Sequence, residues 1–393
     1  MDITIHPRSL RGEITIIPSK SQAHRLLICS AFADGPTQLR CPETNQDIAA
    51  TVDCLKALGA DIRQTDSGYT VFPPACLPES AVLNCRESGS TLRFLLPVAG
   101  ALGVDTVFQL EGRLPQRPLS PLWEEMERMG CSLSRPTPDT IRCRGRLRPG
   151  AYTIDGSISS QFITGLLFAL CLLDGECSLE VTGKIESKPY IALTRNALSL
   201  FGGRMGGKGF HSPGCVAVEG DWSGGAFFVA AQFLGSDLSV CGLDNTSAQG
   251  DRAVVAHLER LRLGRQTISA ADIPDLVPVL SVFAAVNHGA VFTDIRRLRL
   301  KESDRVASVI AMLESLGGIA EATADTLTVY GTGLRGGTVD AANDHRIAMS
   351  AAIAATVCRD AVTIHGAECV NKSYPRFWEE YARLGGKYEQ YIR

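Results

Sequence analysis

Eight short segments of this 393-residue chain place cations, hydroxyls and amides where fold-building alone would not demand them. The first is PSKSQAHR (18–25), where a strand-like run, EITIIP, gives way to a helical one. Lys20 and Ser21 stand at the helix opening and Arg25 one turn in. An ammonium, a hydroxyl and the helix's first backbone N–H groups can thus converge on an anion. ESGSTLR (87–93) repeats the design, and Gly89 lets an anion approach the backbone with no Cβ in the way. In GRLPQRPL (112–119), Arg117 precedes a proline and is held extended, a pose suited to bidentate recognition of a carboxylate or phosphate. Ser159, Ser160 and Gln161 open another helix, and Ser187, just ahead of Tyr190, is expected to cap the next.

The densest segment is LRLKESDR (298–305). If it is helical, Lys301 and Arg305 share a face, and the Glu302 carboxylate points into the same cleft. Asp344, His345 and Arg346 of NDHR stand at the entrance of a further helix, and Lys372 of NKSYP precedes the last one. Each segment by itself is also what an ordinary capped helix or a solvated charge face looks like. Together, Lys20, Arg25, Arg117, Lys301, Arg305, Arg346 and Lys372 form a cationic set in a chain of formal net charge −3. Gathering that many like charges is unfavourable unless a multiply charged anion arrives. Two ligands, each bearing a phosphate and a carboxylate, would match the set.

The elements that position these residues recur. Six helix-like segments end in a bulky apolar residue and a glycine: Leu58-Gly59, Met129-Gly130, Phe201-Gly202, Leu263-Gly264, Leu316-Gly317 and Leu384-Gly385. Their apolar residues fall at three-to-four spacing, and the glycine stands where a left-handed C-cap is wanted. After most of them a strand-and-turn stretch follows, such as ADIRQTDSGYTVF or GIAEATADTLTVYG. A second class of helix is apolar nearly all round: STLRFLLPVAGAL, SQFITGLLFALCLL, GAFFVAAQFL, LVPVLSVFAAV and HRIAMSAAIAATV. Having no polar face, these must lie inside. The pattern predicts an α/β protein of six units of about 55–70 residues, three per half, with sheets wrapped around buried helices.

Bulk properties bound the reading. A chain of this length exceeds one ordinary core and predicts two domains. With 45% hydrophobic and 21% charged residues it is globular, not disordered. The slight acidity supplies no field to gather nucleic acid or an anionic membrane. Neither a leader-like h-region nor a run of about 20 apolar residues occurs, so a cytoplasmic protein is expected. The 13 cysteines are irregularly spaced without CxxC, which predicts buried reduced thiols, Cys171 and Cys358 among them, and no metal site. GGRMGGKG (202–209) nearly spells a nucleotide-binding phosphate loop, but it ends in glycine instead of Ser/Thr and follows a helix, so it reads as a turn.

In combination, SKSQAHR, ESGSTLRF, the RPL after the loop, SSQF, SKPY, IPDL, LKESDR, NDHR and NKSYP resemble, in this order, the 3-phosphoshikimate 1-carboxyvinyltransferases, or EPSP synthases. The similarity runs from about Ile14 to Trp378, nearly the whole chain. It implies a two-domain inside-out α/β barrel of the enolpyruvyl transferase type, each domain being three repeats of sheet around parallel helices. Residues 18–220 would form an inserted domain and 1–17 with 221–393 a discontinuous one, with crossings near Pro18 and Asp221. Shikimate 3-phosphate would lie on Lys20, Ser21, Arg25, Ser159, Ser160, Gln161, Ser187, Tyr190, Asp275 and Lys301. Phosphoenolpyruvate would lie against Lys20, Gly89, Arg117, Gln161, Glu302, Arg305, His345, Arg346 and Lys372. Arg297 and Glu87 depart from the Asn found at each position in some members, and Gly89 keeps the glycine typical of glyphosate-sensitive ones.

The reaction so implied needs a proton on the methylene carbon of phosphoenolpyruvate while a hydroxyl adds to its C2. Asp275 is the candidate general base, with Lys301 beside it. Glu302 is the candidate proton donor and Lys372 its rival, with Lys20 and His345 completing the catalytic set. No cofactor is expected, the two substrates are the only partners, and a monomer that closes on its ligands is implied. The sister transferase acting on UDP-N-acetylglucosamine typically carries Lys-Asn in the first motif and a reactive cysteine near the Arg117 position. This chain has Lys20-Ser21, and its 112–119 loop lacks cysteine. An RNA-binding or RNA-end-processing protein of related architecture is suggested by RCRGRLR (142–148) and RRLRLK (296–301), but acidity and the lack of interleaved aromatics oppose it. A catalytically dead anion-binding protein would leave Asp275, Glu302 and His345 without work.

Overall fold

The structure, a computed structural model, describes residues 1–391. The chain divides into two compact units: Met1–Ile17 together with the chain from Gly220 onward, and Pro18–Glu219. Each has a hydrophobic core of its own.

In the second unit the helices are α1 (Lys20–Ala31), α2 (Gln46–Ala57), α3 (Gly89–Leu102), α4 (Leu122–Arg128), α5 (Ser160–Leu172) and α6 (Lys188–Leu200). The first unit holds α7 (Trp222–Phe233), α8 (Val254–Leu263), α9 (Val277–Val286), α10 (Arg305–Ser315), α11 (His345–Ala355) and α12 (Phe377–Arg383). The five helices read as apolar all round are α3, α5, α7, α9 and α11. Each is buried over most of its length, α11 at every residue. The strands alternate instead, as in Thr37–Arg40 and Cys131–Ser134, with one face on the core and one toward solvent. Helices therefore lie inside and sheets outside, for the reason given by the pattern: a helix without a polar face has nowhere else to go.

One pairing scheme recurs. The four four-stranded sheets described each contain a parallel pair extended by two antiparallel strands. In three of them the added strands are hairpins such as Asp61–Thr65 with Gly68–Phe72, and Ile319–Ala322 with Thr326–Tyr330, which are the strand-and-turn stretches of the sequence. The two remaining sheets described are bare parallel pairs, Ala151–Asp155 with Ser178–Thr182 and Arg11–Thr15 with Asp237–Cys241. The first unit is discontinuous because Asp2–His6 pairs antiparallel with both Val362–His365 and Lys387–Tyr391. That register puts Ile3 opposite Ile364 and Ile5 opposite Val362, all within the core.

Two local expectations are corrected. Five of the six helix-ending glycines have φ between 61° and 116°, but Gly264 lies at φ 167°, ψ 173°, an extended conformation that leads on toward the strand Gln266–Ser269. α1 is a core helix, buried from Ala23 to Ala31, although it is absent from the apolar class. Its polar residues hid it. Among the described residues no helix is long and apolar enough to cross a membrane, and Cys171 and Cys358 are buried free thiols.

Candidate active site

The candidate residues form one cluster in each unit. In the second unit, Lys20 and Ser21 open α1, and the Lys20 ammonium lies 2.8 Å from an Asp47 carboxylate oxygen at the start of α2. Both side chains are partly open, at 17% and 19% exposure, so an arriving anion can compete for Lys20. Arg25 is buried. Its Nε donates to Thr194 Oγ1 at 2.9 Å and its Nη2 to the Tyr190 carbonyl at 2.9 Å, both on α6, and it stacks over Phe94. Burial lowers the Arg25 guanidinium to about 10, which leaves it charged near neutrality.

Ser88 caps α3 by accepting from the Thr91 amide, so Gly89 is the first helical residue. A Cβ on Gly89 would stand 2.7 Å from Nη1 of Arg93 and 2.8 Å from Nη1 of Arg117, so only glycine leaves both guanidinia in place. Arg117 is extended, φ −72° and ψ 137°, as its following proline requires. Its Nε is buried and has no hydrogen-bond partner among the described residues. Ser159 caps α5 by accepting from the Gln161 amide at 3.3 Å, and the Gln161 side chain bridges Arg93 and Ser90 at 3.0 Å each. Ser160 and Ser187 are buried, and Tyr190 is half-buried. Ser187 differs from expectation. It has φ 56° and its side chain makes no capping bond, so it enters α6 through a left-handed turn. Glu87, one of the two departures, lies against Gly112 at the start of the Arg117 loop.

In the first unit the helix-face argument for Lys301 and Arg305 fails. Arg296–Leu300 is a 3-10 turn, Lys301 is extended, and α10 begins only at Arg305. The two cations are gathered by Asp275 instead. Asp275 Oδ1 is 2.8 Å from Arg305 Nη1 and 3.6 Å from Lys301 Nζ, and Oδ2 is 2.9 Å from Arg346 Nη2. Glu302 accepts from Arg305 Nη2 at 2.6 Å. Arg305 is fully buried and is also held by Asp344, at 2.9 Å from its Nε. Burial would depress the Arg305 guanidinium, but Asp344, Glu302 and Asp275 outweigh that and hold it above its usual range. Burial lowers Lys301 to about 8, with Arg305 and Arg297 adding to the effect and Asp275 and Glu302 opposing it. His345 and Arg346 open α11, and Lys372 donates to the Asn343 carbonyl at 2.9 Å.

Two contributors were missed in the sequence, and for a third, Asp344, already placed at a helix entrance, the hold on Arg305 was missed. Asp344 caps α11 through the Arg346 amide and holds Arg305 as well, and its place just before HR was the available signal. Arg93 ties Gln161 to the Pro118 carbonyl, joining α3, α5 and the Arg117 loop. Asp251, in the 3-10 turn Gly250–Ala253, is buried, and one of its oxygens has no partner among the described residues. Burial first, then Asp275, raise it to about 7 against the pull of Arg346. Nothing in its sequence neighbourhood marks it.

The two clusters differ in chemistry. The second unit offers cations, hydroxyls and helix N-termini, as an anion seat does. The first unit adds a carboxylate, Asp275, held among three cations and still 15% exposed.

Residues 5–381 match the family model described as EPSP synthase (3-phosphoshikimate 1-carboxyvinyltransferase). A 3-phosphoshikimate 1-carboxyvinyltransferase of Clostridium kluyveri is 36% identical, the match covering 99% of this chain and 98% of that one. One of Clostridium perfringens is 36% identical, with 98% of each covered. An EPSP synthase structure from Acinetobacter baumannii superposes with a TM-score of 0.79 at 24% identity, over 99% of this chain and 100% of that one, and so shares the fold. With a family model spanning nearly its whole length and full-length relatives above one-third identity, this chain belongs to the EPSP synthase family.

Proposed function

We propose that the chain transfers the carboxyvinyl group of phosphoenolpyruvate to the 5-hydroxyl of shikimate 3-phosphate and releases inorganic phosphate, as a cytoplasmic monomer of the shikimate pathway. The observation that carries the reading is Asp275: a reachable carboxylate among Lys301, Arg305 and Arg346, in a chain whose other unit presents an anion seat.

Shikimate 3-phosphate is assigned to Lys20, Ser21, Arg25, Ser159, Ser160, Gln161, Ser187, Tyr190, Asp275 and Lys301. Phosphoenolpyruvate is assigned to Lys20, Gly89, Arg117, Gln161, Glu302, Arg305, His345, Arg346 and Lys372. These residues come from both units, so the reading requires both clusters to serve one pair of ligands. Asp275 takes the proton of the 5-hydroxyl as its oxygen bonds to C2 of phosphoenolpyruvate, and Glu302 delivers a proton to the methylene carbon, with Lys372 as the rival donor. The C2–O bond to phosphate then breaks with the electron pair leaving on phosphate. Loss of a methyl proton restores the double bond, and the cations offset the charge on the departing group. The deciding assay is phosphate release. It should require both substrates together, and release with either one alone, or none with both, would overturn the reading.

Lys301 makes the reaction sensitive to alkaline pH. In the free enzyme it loses its charge above about 8, so kcat/KM for shikimate 3-phosphate should fall from there, by about tenfold per pH unit. Lys301→Arg, charged throughout, should flatten that limb between about pH 8 and roughly 10. A pH profile unaltered by the substitution would remove Lys301 as the group responsible.

A further inference from the structure

His24, beside Arg25 in the first motif, has a use that its place in an anion seat does not explain. It is buried on α1, and its Nδ1 lies 2.7 Å from Thr51 Oγ1 on α2. Thr51 Oγ1 lies 2.7 Å from Thr91 Oγ1 on α3, and Thr91 Oγ1 donates to Ser88 Oγ at 2.8 Å. All four side chains are at least 98% buried.

The last bond sets the direction of the rest. A hydroxyl has one hydrogen to give. Thr91 gives its hydrogen to Ser88, so it accepts from Thr51, and Thr51, having given its own, accepts from His24. The ring is therefore the Nδ1–H tautomer. Its Nε2 carries only a lone pair, in a buried position without a partner among the described residues. Burial, with Lys20 and Arg25 adding to it and Asp47 opposing, lowers the ring to about 3, so it stays neutral at working pH.

Two rungs thus join α1 to α2, one helical turn apart on both helices: Lys20 with Asp47 and His24 with Thr51. The first is charged and partly open, so a bound anion can draw Lys20 away from Asp47. The second is closed to solvent and continues to α3, ending at the residue that caps it. We propose that His24 is a positioning residue for the phosphoenolpyruvate side of the site, its Nδ1–H heading a relay through Thr51 and Thr91 to Ser88. The relay keeps the entrance of α3, with Gly89 and Arg93, registered to α1 when the Lys20–Asp47 rung opens. This rests on the assignment of phosphoenolpyruvate to Gly89 and Arg117.

The test measures KM for each substrate, kcat and thermal midpoint in the full-length enzyme. Thr51→Val keeps the shape and removes both hand-offs. His24→Leu removes the head of the chain, and His24→Asn puts an amide N–H where Nδ1–H was. Thr51→Val and His24→Leu should raise KM for phosphoenolpyruvate by about tenfold, the scale of one buried hydrogen bond, and leave KM for shikimate 3-phosphate within about twofold. His24→Asn should recover most of that loss. An unmoved KM for phosphoenolpyruvate, an equal rise in both, or no recovery with asparagine would overturn the relay. If His24→Leu does not fold, Thr51→Val decides. Arg117→Ala separates the layers: if it raises KM for phosphoenolpyruvate while Thr51→Val does not, the relay alone fails. If Arg117→Ala leaves that KM unchanged, the site assignment fails and the relay's role with it.

Discussion

Asp275→Asn is expected to lower kcat by about 10²- to 10⁴-fold, the range associated with losing a positioned general base, while KM for shikimate 3-phosphate moves little. Asparagine keeps the volume and one acceptor oxygen but cannot take the hydroxyl proton. Asp275 also holds Lys301, Arg305 and Arg346, so the substitution has a structural side. Arg305 keeps Glu302 and Asp344 as partners, which should leave the fold intact. Steady-state kinetics with circular dichroism of the same sample separates the two effects. A native spectrum with unchanged turnover would remove Asp275 as the base.

Arg305→Met is expected to destabilise the protein by about 3–5 kcal/mol, the usual consequence of stripping one partner from a buried ion pair. Arg305 and Asp344 are both 0% exposed, so solvent cannot take over for the lost guanidinium. Asp344 would keep the α11 amide and Ser303 as donors, yet its charge would be uncompensated. For a unit of this size the change corresponds to a fall in thermal midpoint of about 10 °C. Pairing it with Asp344→Asn, which retains a capping oxygen without the charge, should recover part of the loss. A single-variant midpoint within about 2 °C of the parent would show that the pair is not a principal support of α11.

The contrast between α1 and α3 shows why some of the architecture could be read in advance. α3 is legible because nearly all its residues are apolar, and a helix with no polar face has one place to go. α1 is buried to a similar degree, but His24 and Arg25 break its apolar pattern. Their burial is tolerable because Thr51, Thr194 and the Tyr190 carbonyl stand opposite them, and those partners lie 27, 169 and 165 residues away. The glycine stops behave similarly. Local propensity accounts for five left-handed caps, while Gly264 is drawn out straight before a strand that enters a parallel pair.

The candidate site divides along the same line. Residue type and local spacing were enough to mark helix entrances, a proline-locked arginine and the segments rich in cations, because these depend on a few adjacent dihedrals and charges. How Lys301 and Arg305 come together was misread, since the gathering group is Asp275, 26 and 30 residues earlier, and not a shared helical face. Arg93, Asp344 and Asp251 matter through partners on other elements, and no window of sequence contains those pairs. Helical and strand period, with the turns between them, is a property of neighbours along the chain and was present in the order of residues. Which buried polar group meets which partner depends on packing between remote segments, and it existed only once the helices had been enclosed by their sheets.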